Sequence, residues 1–453
     1  MLIEELANPP SPADACARVL DLPYPLLFES AASGGTMGRY SYLTADPAQI
    51  WTTHPSGTGD VLQQAADYLA ARHAEPLPGR PPFQCGVAGF LGYEFGRRLE
   101  RLPAPRADDL GLPDAWLGAY EWVVAWDHVA GKAWVIAAGQ GGRVAGRQSA
   151  DGRIRDIVRR LTGAASREKS PTRTPTCTPE FRSGFTREEY LTAVERVRQF
   201  ILAGDIFQAN LSQRFEAPCL GDPFDFYRRL TAVNPAPFAA YFRGDGFALT
   251  SASPERFLSV DADGRVETRP IKGTRPRGTT AEEDRRLAEE LLASEKDRAE
   301  NVMIVDLLRN DISKVCRPGS VEVPALCALE SHPTVHHLES TVTGQLEAGR
   351  TAADLLRAAF PGGSITGAPK VRAMEILAEL EPEARGVYCG AIGWLSVTGA
   401  MDTSIAIRTV TFKDGQGYFH AGGGIVSDSV PALEYQETLD KVAGIRRAFE
   451  DRS

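Results

Sequence analysis

The chain has 453 residues, 43% of them hydrophobic, 24% charged and 8% aromatic, which is an ordinary globular composition long enough for a large buried core. A formal net charge of -9 argues against broad attraction to nucleic acid or to an anionic membrane surface, although a local pocket or bound metal still admits an anionic small substrate. The 7 cysteines are scattered and never form a C-x-x-C pair, which points to reduced thiols in a cytoplasm rather than a disulfide framework or a zinc site.

The start, Met1-Leu-Ile-Glu-Glu5, lacks the basic and then apolar pattern of a secretory signal, and no stretch has the length of a membrane span. Gly86 to Gly96 mixes aromatics with glycines and reads as strands or turns where backbones approach closely. Glu121 to Trp126, a turn near Gly131, and Ala133 to Ala137 read as a β-hairpin. Residues 1–162 form one stretch. A Ser-, Thr- and Pro-rich linker over 163–184 follows, then a third stretch over 185–453. Thr186 and Glu189 have capping-box spacing, Tyr190, Val194, Val197 and Ile201 share one helical face, and Gly204 is placed to end that helix. Ile206 to Phe215 reads as a strand. Thr280 with Glu283 opens a second, long helical stretch through Leu287 and Leu291 towards Pro318-Gly319. Helices and strands alternate without a βαβ rhythm, so the expected class is α+β, without internal repeats.

Candidate chemistry begins with two carboxylate pairs. Asp297 and Glu300, and Glu434 and Glu437, are each three residues apart, which on a helix places their Cβ atoms about 5–6 Å from each other. Such pairs can bracket Mg²⁺ with water and substrate oxygens, but either pair alone reads as readily as a solvated helix face. Lys272 stands between Pro270 and Gly273 in a strand-like context. A nucleophilic lysine needs desolvation or nearby positive charge to lose its proton near neutral pH. The runs Pro361 to Lys370 and Ala421 to Gly424 can turn backbone N–H groups towards an anion, or be no more than tight turns; neither has Walker or dinucleotide-fold spacing. His336 and His337 would face opposite sides of a strand, so they do not form a chelating pair.

Taken together, Gly204-Asp-Ile-Phe-Gln-Ala-Asn-Leu-Ser212, Ser253-Pro-Glu-Arg256, Pro270-Ile-Lys-Gly-Thr274, Val305-Asp-Leu-Leu-Arg-Asn-Asp311, Gly362 to Lys370 and Gly422-Gly-Gly-Ile-Val426 resemble, in order, the motifs of the chorismate-utilising enzymes. The match is dense from Thr186 to Arg447 and thinner before. The resemblance implies a sandwich of two opposed, largely antiparallel sheets with helices packed outside. It also implies chorismate as substrate and Mg²⁺ held by Asp297, Glu300, Glu434 and Glu437, largely through water. It further implies substrate contacts from Gln208, Thr274, Thr366, Tyr388, Arg408, Gly422, Gly423, Gly424 and Lys441, with Lys272, Glu255 and His337 as catalytic residues. Glu29, Ser30, Tyr40, Ser41, Asn234 and Pro237 resemble the family's L-tryptophan pocket, which an ordinary core between the sheets would equally explain.

Two positions separate the members of this family. Where isochorismate and salicylate enzymes carry a water-activating lysine, this chain has Gln208, and an amide takes no proton from water. Where anthranilate synthases resemble P-I-A-G-T, it has Lys272. That combination resembles the aminodeoxychorismate synthases and implies a covalent lysine intermediate, amination at C4 and a separate glutamine amidotransferase supplying ammonia. The alternatives are an anthranilate synthase component and an idle ligand-binding scaffold for an amidotransferase.

Overall fold

Strands such as Trp122–Asp127 and Lys132–Ala137 bury residues on both faces, so each needs a cover on either side. The computed structural model describes residues 1–31, 37–54, 57–138, 149–163, 180–219, 221–331 and 335–450, and there two sheets of 12 and 10 strands supply that cover for each other. The expected α+β sandwich is what the chain forms, and it resembles the fold anticipated from the motifs.

Three layers of core hold it together. Between the sheets lies an aromatic cluster in which Tyr42 meets Phe83 and Trp394 edge-on, while Trp116 packs on Phe242. Outside the first sheet, helices Pro223–Val233 and Pro431–Glu450 bury Phe224, Phe226, Val442 and Ile445. Outside the second, helices Val61–Ala70, Glu295–Ser313 and Ala352–Ala359 bury Leu62, Val305, Ile312 and Leu356. Each large apolar side chain so enclosed is worth about 1.5–3 kcal/mol relative to exposure.

Both sheets draw on distant parts of the chain. Leu26–Glu29 pairs with Phe238–Arg243 in one sheet, and Gly86–Leu91 pairs with Ala391–Ser396 in the other. Residues on either side of the expected linker therefore share the same cores; 164–179 of that linker lie outside the described residues. No helix among the described residues is long and apolar enough to cross a membrane.

Local signals are met closely in the hairpin Trp122–Asp127/Lys132–Ala137 and in the helix Arg187–Leu202, whose Thr186–Glu189 capping box is complete. One expectation is corrected. The helical stretch after Thr280 is two helices, Ala281–Ala293 and Glu295–Ser313, because Ser294 leaves helical geometry and caps the second through its side chain. The break redirects the chain just before Asp297 and Glu300.

Glu94, in the short turn Tyr93–Arg98, accepts N–H groups of Arg385 and Gly386 at 2.9 Å each, and burial pushes its carboxyl up to about 7. The fold accommodates its protonated form, so this stabilisation is complete below the ordinary carboxylate range and lost as pH rises through about 7. Below pH ~6.5 the opposite effect of His420, held neutral by burial, intrudes. Between about pH 6.5 and 8 the unfolding midpoint is therefore expected to fall by about one to two degrees, with Glu339, which burial also raises to about 7, acting in the same direction. Glu94→Gln should lessen that slope in calorimetry and leave the Glu339 part; an unaltered slope removes Glu94 from the account.

Candidate active site

Lys272 lies on the strand Ile271–Pro276, which pairs with Val335–Gln345 across a register shift between Lys272 and Thr274. Gly273 makes the shift at φ +75°, and a Cβ there would stand 2.8 Å from Leu291 and 2.9 Å from Asp297 Cγ. The bulge thus seats against both helices in a way that a larger residue would block. Lys272 Nζ donates to the Ser364 carbonyl at 3.1 Å. Glu255, 5% exposed, follows the strand Phe247–Ser253. Burial raises its proton affinity, with the Ser364 hydroxyl and the Lys272 charge working the other way. One turn, Gly363–Ile365, therefore faces both the amine and the acid.

The adjacent histidines diverge as strand alternation requires. His337 Nδ1 meets the Thr274 hydroxyl at 2.9 Å, whereas His336 bridges Asp284 at 2.9 Å and Ser331 at 2.8 Å. Both are buried.

The two carboxylate pairs approach the same place from two helices. Asn301 is fully buried and anchors Glu295–Ser313 to the strand Val335–Gln345 through the Leu338 carbonyl at 3.3 Å and the Ser340 hydroxyl. One turn earlier, Asp297 pairs with Arg275 at 3.5 Å, and Glu300 is half-buried. From the last helix, Glu434 accepts the Ser429 hydroxyl at 2.6 Å and lies 3.7 Å from Lys296; Glu437 pairs with Lys441 at 2.6 Å. Glycines let the two groups converge. A Cβ at Gly423 would stand 3.2 Å from Glu434 and 3.4 Å from Glu437, and one at Gly424 would stand 3.5 Å from Glu300. Burial, countered by Lys272 and Lys296 but aided by Asp297 and Glu437, raises the proton affinity of Glu300. Burial acts on Glu437 too, but Lys441, Lys296 and Lys272 outweigh it and keep that carboxylate ionised. Among the described residues, no three His, Cys, Asp or Glu side chains are close enough to cage an ion by themselves.

Gln208 is 2% exposed, and its Oε1 has no hydrogen-bond partner among the described residues. Its amide nitrogen fills the space over Gly424, where a Cβ would come within 1.9 Å. Thr366 is fully buried; its hydroxyl donates to the Gly362 carbonyl at 3.0 Å, and its carbonyl accepts from Asn210 N–H at 2.8 Å. The Tyr388 ring stacks on His420 at 5.0 Å. Lys441 Nζ donates to the Gly422 carbonyl at 2.9 Å. Arg408 sits at φ +51° between strands Met401–Ile405 and Thr409–Lys413. Its guanidinium has no hydrogen-bonding or ionic partner among the described residues, and burial alone pulls its proton affinity down. A partly buried cation without a counter-charge suits an anionic group from outside the chain.

A separate cavity of about 190 Å³ opens between the sheets, lined by Phe28, Glu29, Tyr40, Pro237, Trp394 and Arg256 among others. Of the expected tryptophan-pocket residues, Glu29, Tyr40 and Pro237 reach it. Ser30, Ser41 and Asn234 do not line it. Ser41 follows Tyr40 on one strand, so it points to the other face and meets His128 at 2.7 Å. Asn234 ends the helix Pro223–Val233 and packs on Gly444.

The sequence reading missed several residues on which this geometry depends: Ser364, Asn301, Lys296, and the Glu381–Arg385 pair behind the strand Gln208–Pro218. Ser364 lay inside a quoted motif. Asn301 and Lys296 have partners distant in sequence, and the four-residue spacing of Glu381 and Arg385 alone reads as an ordinary surface pair.

Comparison with known proteins agrees with this geometry. The family model described as chorismate binding enzyme matches residues 24–447. Aminodeoxychorismate synthase component 1 of Salmonella typhimurium is 45% identical over 449 residues, covering 96% of this chain and 95% of that protein. Anthranilate synthase component 1 of Streptomyces coelicolor is 43% identical over 439 residues, covering 93% and 84%. The crystal structure of anthranilate synthase component I from Streptococcus pneumoniae superposes with a TM-score of 0.79 at 34% identity, covering 91% of this chain and 93% of that one.

Proposed function

The chain belongs to the chorismate binding enzymes, and on that premise we propose that it is the chorismate-aminating subunit of an aminodeoxychorismate synthase, a step towards p-aminobenzoate and folate. The observation that carries this reading is the placement of Lys272 beside Glu255, with the buried Gln208, rather than a lysine, over Gly424. Anthranilate synthases need no amine at 272, and hydrating members need a base at 208.

Chorismate sits with one carboxylate towards the glutamates and the other, the enolpyruvyl carboxylate, on Arg408, whose planar fork binds such a group bidentately. The Lys272 amine attacks C2 of the ring, the double bonds shift, and the C4 hydroxyl leaves as water with the proton of Glu255. Burial of Glu255 keeps that proton available, so kcat should decline as pH rises through its raised value. Ammonia then bonds to C4, the double bonds shift back, and the C2–N bond to Lys272 breaks. The product is 4-amino-4-deoxychorismate with its enolpyruvyl ether intact. His337, held by Thr274, orients the ring-side polar groups.

The donor set suits Mg²⁺: hard carboxylate oxygens, a mutually repulsive group of acids, and glycines that leave room beside them. Asp297, Glu300, Glu434 and Glu437 would hold the ion, largely through water, and it would supply positive charge to offset the ring carboxylate. Ammonia comes from a separate glutamine amidotransferase, a reading supported by the component numbering of the relatives. The cavity lined by Glu29, Tyr40 and Pro237 is the candidate L-tryptophan pocket.

Incubation with chorismate, Mg²⁺ and ammonium, followed by mass identification of the product, tests the reading. Aminodeoxychorismate supports it. Anthranilate with pyruvate would replace it with the anthranilate synthase assignment, and no turnover would favour a binding scaffold.

A further inference from the structure

Arg385 is 3% exposed, behind the strand Gln208–Pro218 and away from the proposed substrate. Its Nε and Nη2 donate to the two oxygens of Glu381 at 2.8 and 2.7 Å, its Nη1 to the Ile365 carbonyl at 3.1 Å, and its Nη2 also to the Asn210 carbonyl at 2.5 Å. The guanidinium lies 4.5 Å from the centre of the Tyr93 ring. Glu381 in turn accepts both the N–H and the hydroxyl of Ser212 at 2.8 Å.

We propose that Arg385 is a positioning residue for the amination: its guanidinium fixes the turn Gly363–Ile365 against the strand Gln208–Pro218, and through that turn places the Ser364 carbonyl that holds Lys272. The proposal rests on the functional reading above. The Ile365 carbonyl belongs to the peptide that leads into Thr366, and the Thr366 carbonyl is itself tied to Asn210 N–H at 2.8 Å. One residue back, the Ser364 carbonyl receives Lys272 Nζ at 3.1 Å. A single planar fork thus reaches a carboxylate on one side and two main-chain carbonyls on the other, one of them a residue away from the nucleophile's anchor. A lysine ammonium cannot span that set, because it is a point donor without the fixed fork.

Stability alone does not require such a pair, since apolar side chains of similar volume commonly replace buried ion pairs without loss. That provides the test. The double substitution Glu381→Leu with Arg385→Met removes both charges together and is assayed with chorismate, Mg²⁺ and ammonium beside the wild type. The expected result is a variant that folds with a lowered midpoint, since the Ser212, Ile365 and Asn210 groups lose their partners. Assayed well below that midpoint, it shows kcat lowered about 100-fold, as for a misplacement near 1 Å, with KM for chorismate within about threefold. Wild-type kcat in the double variant would overturn the proposal, and so would a rise in KM with kcat kept. If the double variant fails to fold, Arg385→Lys decides: kcat lowered about tenfold at an unaltered midpoint supports positioning, and wild-type kcat overturns it. Failure of the wild type to make aminodeoxychorismate would instead strike the functional reading. Chorismate consumption, followed in parallel, keeps the variant-to-wild-type ratio readable in that case.

Discussion

Lys272→Ala is expected to lower aminodeoxychorismate formation by at least about 10³-fold, because it removes the group that opens the reaction rather than one that eases it. The fold should survive. Lys272 sits on a short strand whose pairing with Val335–Gln345 is made by the main chain, and its amine has a single main-chain acceptor, the Ser364 carbonyl. What changes is the electrostatic balance. The lysine charge stands among the groups that lower the proton affinity of Glu255 and Glu300, so its loss leaves both acids more readily protonated. A purely electrostatic role for Lys272 would therefore also reduce activity, and rate alone does not separate the two accounts. Intact-protein mass does. With chorismate and Mg²⁺ but no ammonium, the wild type should gain the mass of chorismate less one water, and Lys272→Ala should not. An unchanged rate and product in the variant would remove the covalent route. An active variant that yields anthranilate would show that the residue selects the product without being required for turnover.

The sequence disclosed the chemistry better than the scaffold that aims it. Lys272, Glu255 and the acidic pairs could be singled out as candidates because the motifs around them stand in a recognisable order, and the structure brings Lys272 within electrostatic reach of Glu255, Glu300 and Glu437. The cap at Thr186 and the hairpin at Trp122 were legible because their causes are local. The break at Ser294 was missed, because leucines at 287 and 291 carry a helical period up to it, although Ser294 and Asp297 have the spacing of the cap that starts the second helix. Three quoted motifs also turned out to do structural work. Lys370 and Asp311 pair with each other at 2.6 Å, tying the helix Glu295–Ser313 to the loop after Gly362, while Arg256 bridges Asp402 and Glu267 at 3.0 and 2.8 Å. Nothing in spacing distinguishes such a pair from a ligand. The tryptophan-pocket residues illustrate the same limit on a strand: Tyr40 and Ser41 are neighbours in sequence and point to opposite faces.

Glu437→Gln is expected to raise the Mg²⁺ concentration for half-maximal activity by about 10–100-fold, with a smaller effect on kcat at saturating metal. The substitution keeps the size of the side chain and removes one charge. Its present partner, Lys441, retains the Gly422 carbonyl at 2.9 Å, so the glycine segment Gly422–Gly424 should hold its place. The side chain of Glu437 is about half exposed, at 48%, whereas that of Glu434 is 5% exposed and bound to the Ser429 hydroxyl. Glu437 is therefore the carboxylate of its pair that an incoming hydrated ion meets first, and the lysines around it keep it ionised and ready to exchange a cationic partner. Glu434→Gln should act differently. It leaves Lys296 without its buried counter-charge, so a loss of stability should accompany any change in metal dependence. A Mg²⁺ titration of Glu437→Gln that overlays the wild type would place the ion elsewhere, and the convergence of two helices over Gly423 and Gly424 would then need a different ligand to explain it.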